Sequence, residues 1–129
     1  MKRGEVFSLL GVNGAGKSST FNCMVANQRV SGGAIKLDGV NVNEYIDSPS
    51  MLHGVLGYCP QTNTFDESLT VKKHLMLYAR LVGIESNSLE SYVMSTISRF
   101  GLSMFIDTKA GDLSGGNMRK LSLALAMIG

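Results

Sequence analysis

Glu5-Val6-Phe7-Ser8-Leu9-Leu10-Gly11-Val12-Asn13-Gly14-Ala15-Gly16-Lys17-Ser18 is the stretch that decides the fold. It opens as a short apolar run, breaks into a glycine-rich turn, and leads into a segment from Ser18 to about Asn27 that suits a helix. The order is strand, loop, helix. Gly11 to Ser18 carries the pattern Gly-x4-Gly-Lys-Ser in the position where such a loop works, after a strand and at a helix start. Its glycines let the backbone turn N–H groups inward around phosphates, and the helix N-terminus beyond Gly16 adds a partial positive charge. Lys17 brings a full charge to β and γ phosphates, and Ser18 offers a hydroxyl to Mg²⁺, a hard cation that takes oxygen ligands. Many nucleotide-binding proteins share this loop, so other residues must choose among them.

Working outward, Gly32 to Asp47 contains Gly32-Gly33, alternating Ala34-Ile35-Lys36-Leu37, then Asp38-Gly39, which predicts short antiparallel strands joined by tight turns. Gly54 to Tyr58 is a further strand candidate, ended by Pro60. Beyond it the period changes. Thr70 suits an N-cap for a helix running to Leu81, with Val71, Leu75, Leu77, Tyr78 and Leu81 near helical spacing and Gly83 as its stop. A second helix is predicted over Leu89 to Phe100, with Val93, Ile97 and Phe100 on one stripe and Gly101 closing it. A third begins after Ser114-Gly115-Gly116 and runs to Ile128, with Arg119 and Lys120 on its solvated face and Leu121, Leu123, Leu125 and Ile128 on its buried or partly buried side. Thr62 to Leu69 has no period of either kind, so residues 1–61 are expected to form a mixed α/β part and residues 62–129 a helical part.

Composition narrows the classes. The 129 residues are 44% hydrophobic, which suits a folded chain, and a net charge of +2 is too small to grip nucleic acid. Cys23 and Cys59 have no CxxC or nearby His pattern, which favours reduced thiols over a zinc site. His53 and His74 have no ligand-spaced companions and are read as structural or surface residues. No apolar run approaches the roughly 18 residues of a membrane span, so any membrane link is expected to come through a partner domain.

Two further motifs follow the phosphate loop: Tyr58-Cys59-Pro60-Gln61, and Leu113-Ser114-Gly115-Gly116-Asn117 at the opening of the last helix. Leu-Ser-Gly-Gly followed by a polar amide resembles the signature of ABC proteins, and a glutamine closing a strand resembles their Q-loop. The intervals from Lys17 to Gln61 and from Gln61 to Ser114 fit a transporter. Asn117-x-Arg119-Lys120-Leu121-Ser122-x-Ala124-x-Ala126-x-Ile128-Gly129, with Gly57-Tyr58-Cys59-Pro60-Gln61, is similar to the A subfamily, whose members mostly move lipids.

The resemblance implies an α/β fold: an incomplete P-loop NTPase (RecA-like) core with a short antiparallel β region and the ABC helical subdomain. It implies ATP and Mg²⁺ as cofactors, with Gly11, Asn13, Gly14, Ala15, Gly16, Lys17, Ser18 and Ser19 holding one nucleotide. Ser114, Gly115, Gly116 and Asn117 would face the γ-phosphate on an opposing domain in a head-to-tail dimer. Gln61 would have the catalytic role, reaching the attacking water and sharing Mg²⁺ with Ser18. Transmembrane domains and a second nucleotide-binding domain are the implied partners, with no nucleic acid, at the cytoplasmic face of a membrane.

The departures count too. In this family a strand ending in Asp-Glu and a later switch His follow the signature, and an adenine-stacking aromatic precedes the loop. Two strands between the phosphate-loop strand and the Q-loop strand are also expected and are not seen here. These departures predict a truncated piece of a larger membrane transporter, its isolated chain inactive in hydrolysis. A soluble ABC ATPase acting on ribosomes or DNA, and a remnant that binds nucleotide without hydrolysing it, are the alternatives.

Overall fold

The computed structural model describes residues 4–52 and 54–128. His53 lies outside the described residues. The chain divides into two compact units, Met1–Val55 and Leu56–Gly129.

In the first unit, helix α1 spans Lys17–Met24. It ends before Asn27 because the chain turns back in a Schellman closure: Asn27 N–H donates to Asn22 C=O at 2.8 Å and Ala26 N–H to Cys23 C=O at 3.3 Å. Ala26 takes the left-handed position of that closure, at φ 58°. Strands β1 (Lys36–Leu37) and β2 (Val40–Asn41) pair antiparallel, Lys36 opposite Asn41 and Leu37 opposite Val40. Asp38 at φ 46° and Gly39 at φ 86° form the two-residue turn between them, the type I′ geometry whose twist matches the strands.

The expected strand region does not continue to Asp47. Val42–Asp47 is helix α2, capped by Asn41, whose Oδ1 accepts from Asn43 N–H at 3.0 Å. Capping decided this segment over alternation. Val42 and Tyr45 are buried, and Asn43 braces the helix by exchanging two hydrogen bonds with the backbone of Val30. Glu5 to Leu10 and Gly54 to Tyr58 are not strands, which corrects both expectations. A strand needs a ladder partner for its N–H and C=O groups, and the described residues supply none at these places. Val6 is 96% and Leu10 88% exposed as a result.

The second unit is built on three helices: α3 (Val71–Leu81), α4 (Ser86–Arg99) and α5 (Gly115–Ala126). Helix α4 begins a turn earlier than its apolar stripe suggests, and α5 stops at Ala126 rather than Ile128. Leu75 of α3, Val93 and Ile97 of α4 and Leu121 of α5 are fully buried together, the apolar faces meeting as their spacing requires. Leu123 is 47% exposed, against expectation, since one step of 100° from the buried Ser122 and Ala124 turns it outward. His74 is buried; its Nδ1 lies 3.1 Å from Thr70 C=O and its ring meets Phe65 edge-on. Gly83 and Gly101 terminate α3 and α4 at φ 88° and 64°, each followed by a Schellman bond, Ile84 N–H to Ala79 C=O and Leu102 N–H to Ile97 C=O.

The start of α3 is fully satisfied. Val71 N–H donates to Thr108 C=O, Lys72 N–H to Ile106 C=O, and Lys73 N–H to the Thr70 hydroxyl. Helices with one small antiparallel sheet make the fold α/β, as expected of a partial P-loop NTPase core.

Candidate functional site

Gly14 and Gly16 both sit at φ 85°, with no atom near where a Cβ would be. The demand for glycine there is therefore conformational rather than steric. Successive inward turns of the backbone present N–H groups to one side of the loop, a concavity suited to an anion. Helix α1 continues that polarity: Gly16 is its N-cap, no side chain caps it, and no acidic residue lies in its first turn. The helical ladder starts with Thr20 N–H to Gly16 C=O at 2.9 Å, which leaves the N–H groups of Lys17, Ser18 and Ser19 ahead of it. Asn13, Gly14 and Ala15 form the exposed tip, braced by Ala15 N–H to Val12 C=O at 3.2 Å.

Lys17 folds back over this loop. Its Nζ donates to Gly11 C=O at 2.6 Å and Val12 C=O at 2.8 Å. The amine thus bridges the loop's entry and holds its curvature. Two neutral carbonyls are weaker partners for an ammonium than phosphate oxygens, so the same amine can turn to an arriving polyphosphate. Ser18 and Ser19 are exposed on the first turn, and the Ser18 hydroxyl is an oxygen ligand of the kind Mg²⁺ takes. The donor set fits a magnesium-bound nucleotide phosphate.

The remaining sequence-derived residues belong to the second unit. Ser114 caps α5, its Oγ accepting from Asn117 N–H at 3.4 Å. Gly115 and Gly116 follow with open space around their Cα atoms, so the helix start is uncluttered. Gln61 is exposed in the loop after Pro60. That loop and α5 are brought together by contacts the sequence did not reveal. Arg119 Nη1 donates to Pro60 C=O, Ser122 Oγ to Asn63 Oδ1 at 3.0 Å, and Asn63 Nδ2 reaches Met118 Sδ at 3.6 Å. Arg119 and Lys120 are solvated as expected, yet Arg119 also serves as a tether. No local pattern could have identified a partner 59 residues away. At Gly57 a Cβ would overlap the carbonyl oxygen of Ala126, so the segment before Gln61 approaches the end of α5 more closely than any other residue allows.

Cys23 and Cys59 are free thiols, each half-buried. Among the described residues no helix is long and apolar enough to cross a membrane.

The ABC transporter family matches residues 1–129. The chain is 43% identical over 129 residues to the human retinal-specific phospholipid-transporting ATPase ABCA4, covering 100% of this chain and 6% of that protein. It is 45% identical over 126 residues to the human phospholipid-transporting ATPase ABCA7, covering 98% of this chain and 6% of that protein. The chain thus spans a small part of the curated relatives it matches. A solved ATP-binding subunit of an ABC transporter aligns with a TM-score of 0.76 at 27% identity, over 92% of this chain and 48% of the other. With a family match from end to end and relatives in the A subfamily, the chain belongs to the ABC transporter family.

Proposed function

We propose that the chain is the ATP-binding portion of a transporter that couples ATP binding and hydrolysis to movement of a lipid across a membrane. One observation carries this reading: a two-glycine nest and a helix start without a side-chain cap converge on a lysine that, among the described residues, is held by neutral carbonyls. Gly11, Asn13, Gly14, Ala15, Gly16 and Ser19 would surround the phosphates, Lys17 would leave its carbonyls for the β and γ phosphates, and Ser18 would offer its hydroxyl to Mg²⁺, a role the family resemblance also assigns to Gln61. Mg²⁺ supplies charge neutralisation on the phosphates when bound. Gln61 orients the water. Ser114, Gly115, Gly116 and Asn117 offer a second helix start to the γ-phosphate held by an opposing nucleotide-binding domain. Residues 1–61 thereby do the binding and residues 62–129 carry the signature to the partner.

Lipid as cargo, transmembrane domains as partners and the cytoplasmic face as location rest on the names of the relatives and on the family. In the whole transporter reconstituted into vesicles, Ser114→Arg should spare the phosphate-loop contacts to ATP, lose those of the signature, and abolish ATP-driven movement of a labelled phospholipid. Undiminished movement in that variant would refute the assigned role of the signature.

A further inference from the structure

Gln61 is exposed, yet the chain on both sides of it is held by one helix, α5. Before it, Arg119 Nη1 donates to Pro60 C=O. After it, the Asn63 amide spans one turn of α5: its Oδ1 accepts from Ser122 Oγ at 3.0 Å, and its Nδ2 donates to Met118 Sδ at 3.6 Å. Met118 and Ser122 are four residues apart and so share a face, which lets a single amide meet both. Ser122 is buried and its Oγ also lies 3.1 Å from Met118 C=O, so this anchor is rooted inside the helical unit. Pro60 brings a fixed φ to the other anchor. Only Gln61 and Thr62 lie between the two. The Gln61 side chain itself forms no hydrogen bond among the described residues. Its backbone is thus pinned while its amide stays free to meet a ligand.

We infer that Arg119, Asn63 and Ser122 are positioning residues for Gln61, holding it in register with the helix that opens at Ser114. This deepens the proposed function and rests on the role given there to Gln61. Ser114 stands five residues before Arg119, about 7.5 Å along the axis of a helix that satisfies its own backbone bonds. Such a rod does not bend over that length, so Ser114 and the Gln61 loop keep a fixed spacing while both anchors hold. A water-orienting amide needs that precision, because a misplacement of about 1 Å can cost on the order of 100-fold in rate. The Arg119 bond to Pro60 is a charged donor on a neutral carbonyl. A lysine ammonium can make such a bond, and a leucine of similar reach cannot.

The test is ATP hydrolysis by the whole transporter carrying Arg119→Leu, Arg119→Lys, Ser122→Ala, Gln61→Ala, or Gln61→Ala with Arg119→Leu. Arg119→Leu and Ser122→Ala should each lower kcat by about 10-fold with KM for ATP within about 2-fold, since the phosphate contacts are untouched. Arg119→Lys should recover most of the lost rate. In the Gln61→Ala background, Arg119→Leu should cost nothing further, because a residue that acts only through Gln61 has nothing left to position. If the residual rate of Gln61→Ala is too low to read, the split between kcat and KM and the recovery by lysine decide. Arg119 is exposed, so its variants should fold, and circular dichroism checks them. Losses that multiply in the double variant would overturn the inference, as would an Arg119→Lys no better than Arg119→Leu. Unaltered turnover in Arg119→Leu beside an impaired Gln61→Ala would overturn the positioning alone. Unaltered turnover in Gln61→Ala would remove the role of Gln61, and the inference with it.

Discussion

The guanidinium of Arg119 donates to the carbonyl of Pro60, so the helix that opens with Ser114 is fastened to the residue immediately before Gln61. Ser122 reinforces this two residues beyond Gln61 through Asn63. Changing Arg119 to Ala should cost about 1 kcal/mol, since the bond is solvent-exposed, and should speed amide exchange selectively between Gln61 and Asn63. Hydrogen exchange by mass spectrometry reads this directly. Exchange unchanged in that loop would mean the tether does not hold it.

Gly57 faces the backbone of α5, and a backbone carbonyl cannot rotate away as a side chain can. Gly57→Ala should therefore destabilise the chain by roughly 1–3 kcal/mol, the range of small overpacking. Denaturant unfolding of the variant checks it. Wild-type stability would show that Gly57 and Ala126 are not in close approach in solution.

Ala26 is a non-glycine residue in the left-handed position of a helix closure. Glycine carries no Cβ penalty there, although it gains freedom in the unfolded chain, so Ala26→Gly should stabilise by a net ~0.5–1 kcal/mol. The expected readout is a rise in unfolding midpoint. A fall would place Ala26 outside the Schellman geometry.

Asp66 accepts from the Ser68 hydroxyl at 2.7 Å and the Ser68 N–H at 2.8 Å, which hold its carboxyl below the ordinary 3.8. A depressed folded pKa stabilises fully above the unfolded value, and the contribution is lost as pH falls through the folded value. Ser68→Ala should move the Asp66 titration up toward 3.8 in a carbon-detected NMR experiment. A titration that stays put would assign the shift to another cause.

What could be read from the sequence was what is decided locally. Asp38-Gly39 demanded its turn, Gly83 and Gly101 their helix stops, and Thr70 its cap, because each acts through its own neighbours. Ala26 gave no such signal, since alanine, unlike glycine or asparagine, does not favour a left-handed closure. Asn41 gives no clear cap signal because the residues around it also fit alternation. Glu5 to Leu10 has strand composition, but strand formation is a property of a pair, and composition says nothing about the partner. In the candidate site, the glycine loop and the helix start at Ser114-Gly115-Gly116 were legible for the same local reasons. The Arg119, Ser122 and Asn63 contacts were not, because they form only when distant segments fold together.

The fold carries a kinetic expectation of the same kind. Amides of Leu75, Val93 and Ile97 should exchange slowly because buried helices satisfy their own bonds, and those of Val6 to Leu10 should exchange quickly. Strong protection across Val6 to Leu10 in a verified monomer would reveal a sheet partner that this structure does not contain.

The central claim is that Lys17 leaves Gly11 and Val12 for a nucleotide phosphate. Calorimetric titration of magnesium ATP into the protein and into its Lys17→Ala variant tests it most directly. Losing two charge-assisted bonds at roughly 1.5–3 kcal/mol each should weaken binding by about 100-fold or more. Binding of equal strength and enthalpy in the two proteins would contradict it.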